Sequence, residues 1–144
     1  WAEDHGVKIA IEPLGGHPFI PGPRQALEII QRAEHEALGL MMDTFHYYKS
    51  GISLDTIRNI PIELLLVVHV NDCEDLPREN LTDQNRLHMG EGIIPLHGML
   101  GVLKEKGYKG ALSVEIFREA YWEQNPETIS IAAKAAFDKT MASL

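Results

Sequence analysis

A short apolar run followed by a segment of helical periodicity occurs four times along this chain. The apolar runs end at polar residues, as buried parallel strands do, and they lie at 7–11, 40–42, 64–70 and 111–117. The helical segments are predicted at 24–37, from 53 to just before Pro61, at 95–106 and at 126–144. Parallel neighbours need long crossover connections, because a tight turn cannot join strands that run in the same direction. The chain is therefore predicted to be an α/β protein with a parallel sheet.

Two architectures accommodate such a sheet: a small doubly wound fold and part of a (β/α)₈ TIM barrel. A glycine-rich phosphate loop would favour the first, and the sequence contains neither G-x-G-x-x-G nor G-x-x-x-x-G-K. A complete barrel has roughly 250 residues, whereas this chain has 144 residues and about four of the eight units. We therefore expect residues 1–144 to form a single domain, half of a barrel. Its open sheet edges would be covered by the other half-barrel or by homo-oligomerisation.

Composition excludes several classes of protein. Cys73 is the one cysteine, so no internal disulfide can form, and we expect a reducing, cytoplasmic location. No apolar stretch has the length of a membrane span, so no membrane partner is predicted. A net charge of −8, from 21 acidic and 13 basic residues, disfavours nucleic acid as a partner.

A potential metal ligand stands at the end of each predicted strand: these are Glu12, Asp43, His69 and Glu115. Side chains at the carboxyl ends of parallel barrel strands converge on one face, so residues far apart in sequence can meet there. Three carboxylates and an imidazole suit one divalent ion such as Mn²⁺, Mg²⁺, Co²⁺ or Zn²⁺. Acidic residues also follow strands as turn formers or helix caps, but four in succession favour a metal site.

Further polar residues lie close to these strand ends. His46 follows Asp43 by three residues and is predicted to contact substrate, whereas Asp72 is expected to orient a neighbouring ligand. His17 and His88 lie in loops that can face the same site. Cys73 lacks a histidine–cysteine motif and is predicted to serve packing.

Several stretches resemble the xylose-isomerase-like sugar isomerase and epimerase superfamily, and within it the inosose isomerases. They are Ile11-Glu12-Pro13, Asp43-x-x-His46, His69-Val-Asn-Asp72, Arg86 followed by Gly90-Glu91-Gly92, and Ser113-Val-Glu115. The resemblance spans nearly the whole chain and identifies it as the C-terminal half, roughly the last four βα units, of such a barrel. Met89 departs from the proline that the family usually has before the loop glycine.

The resemblance implies a metal-dependent isomerase acting on a small neutral keto-sugar or keto-inositol through an enediolate. Glu12 and Glu115 would be the general acid and base as well as metal ligands, together with Asp43 and His69. His46 and Arg86 would bind substrate oxygens. A ketose 3-epimerase, a keto-sugar dehydratase and a non-catalytic, metal-stabilised half-barrel remain as alternatives.

Overall fold

A computed structural model describes residues 1–144 and contains one four-stranded parallel sheet in the order β1-β2-β3-β6. Its strands are β1 (Ile9–Ile11), β2 (Leu38–Asp43), β3 (Leu65–Val70) and β6 (Ala111–Val114). A separate antiparallel pair joins β4 (Asp72–Cys73) to β5 (Arg86–Leu87). The predicted parallel sheet is therefore confirmed. Strands β1, β3 and β6 are one to three residues shorter than expected, and β2 is three residues longer.

Helices connect the strands and follow the last one. They are α1 (Pro23–Ala33), α2 (Thr44–Lys49), α3 (Leu54–Arg58), α4 (Leu96–Glu105), α5 (Glu119–Trp122) and α6 (Pro126–Ala142). Single 3₁₀ turns lie at Glu3–His5, Ile62–Leu64, Arg78–Asn80 and Asp83–Asn85. None of the helices has the length and apolarity that crossing a membrane requires.

The hydrophobic core lies between one face of the sheet and the helices. Leu40 and Met42 of β2 and Val68 and Val70 of β3 are fully buried there. Side chains alternate across a strand, so Met41 and Val67 point to the opposite face, where they are only partly covered. Asp43 and His69, at the carboxyl ends of β2 and β3, point to this second face.

Strand register determines which side chains meet at the carboxyl edge. Asp43 pairs with His69, and His69 pairs with Ser113, so these three residues lie level on neighbouring strands. Glu115 is two residues beyond Ser113 and therefore points to the same face as His69. The parallel register thus brings residues from β2, β3 and the end of β6 to one place.

Three structured segments were absent from the sequence prediction. Helix α2 begins directly after Asp43, in a stretch that the sequence left as a loop, and α5 follows the last strand. The polar connection 71–94 contains the β4–β5 pair. Each segment has two to six residues, too short to produce a readable apolar periodicity.

Both edges of the sheet are open, because β1 and β6 each pair with a single neighbour. Ile9 in β1 is 50% exposed and Val114 in β6 is 38% exposed. An open strand edge offers unpaired amide and carbonyl groups to another chain. We therefore expect this chain, expressed alone, to self-associate in static light scattering.

Ile9→Lys should weaken that association, since a charge on an edge strand discourages pairing. Ile131→Lys, on an exposed part of α6, is the matched control and should leave association unchanged. A monodisperse monomer of the parent chain would contradict the expectation.

Candidate metal centre

The four residues predicted as ligands come together in one cluster at the carboxyl edge of the sheet. One potential ligand atom from each of Glu12, Asp43, His69 and Glu115 lies within 4.8 Å of the corresponding atom of the other three. The His69 Nδ1 atom is 3.2 Å from Glu115 Oε2, 3.3 Å from Glu12 Oε1 and 3.8 Å from Asp43 Oδ2. Three carboxylates therefore surround a single imidazole nitrogen.

Asp43 is held by the backbone of the helix that follows it. Its Oδ1 atom accepts hydrogen bonds from the amides of Phe45, at 2.7 Å, and His46, at 3.1 Å. Asp43 is thus the N-cap of α2, and capping satisfies amides that the helix itself leaves unpaired. The other oxygen, Oδ2, faces the cluster.

Arg86 supplies the positive charge beside the carboxylates. Its Nη1 atom donates to Asp43 Oδ2 at 2.7 Å and to Glu115 Oε2 at 3.2 Å, and Asp83 binds the other side of the guanidinium at 2.9 Å. Burial works against the charged guanidinium, but Asp43 and Asp83 outweigh it and raise the pKa of Arg86. One permanent cation therefore faces a cluster of three carboxylates.

The tautomer of His46 follows from its contact with Arg86. The Nε2 atom lies 3.1 Å from Arg86 Nη2, which can only donate, so Nε2 is the acceptor. Burial lowers the pKa of His46 and favours the neutral ring, whose proton then sits on Nδ1. That buried Nδ1 atom has no hydrogen-bond partner in the protein. His46 therefore retains a free N–H donor.

Asn71 and Thr44 form a buried polar pair behind the carboxylates, and the sequence analysis did not single out either one. The Asn71 amide nitrogen lies 3.2 Å from Asp43 Oδ2 and 3.1 Å from the Glu115 carbonyl oxygen. The Thr44 hydroxyl donates to the Asn71 side-chain oxygen at 2.8 Å. Their positions, directly after the Asp43 and Val70 strand ends, were the only available signal.

Asp72 differs from its predicted role. Its carboxylate accepts hydrogen bonds from the backbone amides of Cys73, Gly90 and Ile94, at 2.8 to 3.0 Å, instead of orienting a member of the cluster. Both oxygens are used in holding the connection 71–94 against the end of β3. The hydrogen bonds to Asp43 and to the Glu115 carbonyl oxygen come instead from Asn71, the preceding residue.

Glycine is required where this loop closes around Asp72. A Cβ atom at Gly92 would overlap the Cys73 carbonyl oxygen and lie 2.6 Å from Asp72 Oδ1. Gly90 has a positive φ of 79°, which side-chain-bearing residues rarely adopt. The Gly90-Glu91-Gly92 motif therefore serves loop closure around Asp72.

The cluster leaves two buried polar atoms without hydrogen bonds, Glu12 Oε1 and His69 Nδ1. They are 3.3 Å apart, yet their geometry does not make a hydrogen bond. Burial, together with the neighbouring carboxylates, raises the pKa of Glu12. Burial also raises the pKa of Glu115, although His69 and Arg86 oppose the change. Three carboxylate oxygens and one imidazole nitrogen therefore converge with an excess of negative charge. A divalent cation fits such a set of ligand atoms.

The other residues considered from sequence lie outside the cluster. His17 is exposed and accepts the amides of Phe19 and Ile20, so it orders its own loop. His88 is buried and stacks on Tyr121 at 4.6 Å between ring centroids, lining a cavity of about 690 Å³ between β6 and α6. Burial raises the pKa of the Cys73 thiol to about 12, in agreement with a packing role.

Comparison with known proteins agrees with the fold. A family model described as xylose isomerase-like TIM barrel matches residues 1–139. An inosose isomerase of Halalkalibacterium halodurans is 39% identical over 142 residues, which cover 97% of this chain and 49% of that protein. A 3-dehydroshikimate dehydratase of Pseudomonas putida is 29% identical, covering 83% of this chain and 19% of the relative.

Among solved structures, the IolI protein with a bound zinc atom superimposes with a TM-score of 0.91 at 33% identity. The match covers 99% of this chain and 51% of the IolI chain. The chain therefore spans about half the length of the inosose isomerases it matches, and the predicted TIM-barrel fold class is confirmed.

Removing the Asp72 carboxylate should destabilise the chain, because three backbone amides would lose their acceptor. Asp72→Ala is expected to lower the free energy of unfolding by about 3 kcal/mol in urea titrations. Asp75→Ala, an exposed acidic position in the same loop, is the control and should change it by less than about 0.5 kcal/mol. Equal effects of the two substitutions would contradict the assigned role of Asp72.

The raised pKa of Glu12 predicts how stability depends on pH when a chelator keeps the chain metal-free. The folded chain binds the Glu12 proton more tightly than the unfolded chain, so native stability falls as pH rises through the folded-state pKa. Glu12→Gln escapes this loss and should be more stable than the parent at pH 8. The advantage should vanish below the ordinary carboxyl pKa of 4.5.

Thermal unfolding across that pH range measures the difference. Glu79→Gln, at an exposed position, should follow the parent chain throughout. If Glu12→Gln has the same pH dependence of thermal stability as the parent chain, burial and neighbouring charges do not destabilise the ionised Glu12 carboxylate.

Proposed function

The chain belongs to the xylose isomerase-like TIM barrel family, and from that premise we propose that it forms the metal-binding half of a sugar or polyol isomerase. The observation that carries the proposal is the convergence of four ligand atoms, two of them buried without a hydrogen-bond partner. We further propose that residues 1–144 form a single domain and correspond to the C-terminal half of the barrel.

Glu12, Asp43, His69 and Glu115 would hold one divalent ion, with Mn²⁺, Zn²⁺, Co²⁺ and Mg²⁺ as the candidates. The IolI protein, solved with a bound zinc atom, supports this assignment by its similarity over 99% of the chain. Asp43 would contribute Oδ2 alone, since Oδ1 is occupied by the two amides at the start of α2. A bound divalent ion acts as a Lewis acid that lowers the cost of negative charge on the oxygens of a hydroxy-ketone.

Proton transfer is assigned to Glu12 and Glu115. An isomerase of a hydroxy-ketone must remove a proton from one carbon and return it to the neighbouring carbon or the opposite face. The two carboxylates flank His69 from the two edges of the sheet, at 3.3 and 3.2 Å from Nδ1.

Substrate oxygens would be bound by His46 and Arg86. His46 offers a neutral Nδ1–H donor, which suits a hydroxyl or carbonyl oxygen without adding charge. Arg86 already donates to Asp43 and Glu115, so its second task is to hold both carboxylates in orientation. The guanidinium would also stabilise negative charge that develops on a nearby substrate oxygen.

The substrate we favour is a small neutral keto-inositol, as the name of the inosose isomerase from Halalkalibacterium halodurans suggests. A 3-dehydroshikimate dehydratase is similar over 83% of the chain, so loss of water from a keto-sugar is the second candidate. Both reactions begin with removal of a proton beside a carbonyl group, and the same two glutamates would serve either. Product analysis separates them, because only the dehydratase releases water.

The two open sheet edges would be covered in the working protein. We propose that further barrel strands pair with β1 and β6, supplied by an N-terminal half-barrel or by another copy of this chain. Such pairing would enclose the face that carries the cluster and exclude water from it.

Metal content and proton exchange together test the proposal. The purified protein that contains this chain should bind about one Co²⁺ or Zn²⁺ per chain. It should also exchange the proton beside the carbonyl of 2-keto-myo-inositol for deuterium in heavy water. Glu115→Gln should reduce both, because it removes a ligand charge and a proton carrier, with an exchange loss of at least about 100-fold.

Glu119→Gln alters an exposed glutamate four residues away and should retain both properties. Metal binding without exchange of any keto-sugar proton would reduce the proposal to a metal-stabilised module. Absence of binding at saturating Mn²⁺, Mg²⁺, Co²⁺ and Zn²⁺ would refute it.

A further inference from the structure

Asn71 connects two residues of the cluster that lie on strands which do not pair with each other. It directly follows β3, is fully buried, and its Nδ2 atom points between Asp43 and Glu115. The amide nitrogen is 3.3 and 3.2 Å from the two Asp43 oxygens and 3.1 Å from the Glu115 carbonyl oxygen. One side chain on the central strand therefore touches the strand end on either side of it.

Thr44 fixes the orientation of this amide. The Thr44 hydroxyl oxygen accepts the Asn71 backbone N–H at 3.0 Å, so its own proton is free to be donated. It donates to the Asn71 side-chain oxygen at 2.8 Å or to the Asn71 carbonyl oxygen at 3.0 Å. Rotation of the amide would place its oxygen against the Asp43 carboxylate and the Glu115 carbonyl. The nitrogen must therefore face the cluster.

A neutral donor has an advantage over a charged one at this position. Arg86 already provides one positive charge to Asp43 and Glu115, and a second cation would oppose a bound metal ion by direct repulsion. The Asn71 side-chain amide donates an N–H group to the Asp43 carboxylate and adds no net charge. Outer partners of this kind orient ligands, and their loss typically weakens metal binding by roughly 10- to 100-fold.

We propose that Asn71 is a positioning residue of the metal centre, which holds the Asp43 carboxylate and the Glu115 strand end in a fixed relation to His69. The inference rests on the proposed function, since it takes the cluster to be a metal site. Thr44 acts one step further out by locking the amide. Neither residue supplies a ligand atom.

The test compares Co²⁺ and Zn²⁺ binding by the parent protein, Asn71→Ala, Thr44→Val and Asn85→Ala. Asn85 is the matched control: its side chain is bonded to Thr82 and Glu74 in the loop and does not touch the cluster. Dissociation constants come from competition with a chromophoric chelator. The visible absorption of bound Co²⁺ reports ligand geometry independently of turnover.

Asn71→Ala should weaken binding of both metals by about 10- to 100-fold and alter the Co²⁺ absorption bands. Thr44→Val, which keeps the amide but releases it, should weaken binding several-fold and shift the bands in the same direction. It keeps the inference testable if Asn71→Ala does not fold. Asn85→Ala should match the parent protein in both measurements.

Two results would overturn the inference and are distinct from each other. If the parent protein binds neither metal and also fails to bind Mn²⁺ and Mg²⁺, the proposed function fails and the inference falls with it. If the parent binds metal while folded Asn71→Ala or Thr44→Val keeps its affinity and spectrum, the proposed function stands and Asn71 has only a packing role.

Discussion

Repulsion among three carboxylates within 4.8 Å of one another is the constraint around which this end of the molecule is organised. Such groups cannot all be ionised in a half-buried site unless nearby groups offset their charge. Arg86 offsets part of it through Asp43 and Glu115, while the amides of α2 and Asn71 hold Asp43 by hydrogen bonds. Glu12 receives no comparable hydrogen bond, and one of its buried oxygens has no partner. The remaining negative charge would favour a bound cation, as the proposed function requires.

The polar connection 71–94 places this counter-charge, and its own folding depends on Asp72 at its start. Three backbone amides converge on the Asp72 carboxylate, and Gly92 permits the close approach that this requires. Arg86 lies within the closed loop, packed between the rings of Phe45 and Phe117. Closure of the loop therefore also places Arg86 beside the carboxylates. The same segment is anchored in the hydrophobic core by Cys73, Leu81, Met89 and Ile94.

The sequence was sufficient to predict the parallel sheet and the four residues of the cluster. Strand ends are readable because Glu12 and Asp43 directly follow apolar runs, and His69 and Glu115 lie near the ends of two others. Parallel register then brings such ends to one edge. The roles of Asn71 and Asp72 were not predictable in the same way. Both follow the same strand, and only the three-dimensional path of the loop decides which one turns toward the cluster. Helix α2 was missed because Phe45, Tyr47 and Tyr48 have modest helix propensity, and its stability comes from the Asp43 cap and from burial.

The central claim is that these four side chains hold one divalent ion together. Zinc K-edge X-ray absorption on the protein loaded with one equivalent of Zn²⁺ tests it most directly. The account predicts a first shell of oxygen and nitrogen alone, at about 2.0–2.2 Å, with the outer scattering of a single imidazole. A sulfur neighbour or a shell with two imidazoles would contradict it.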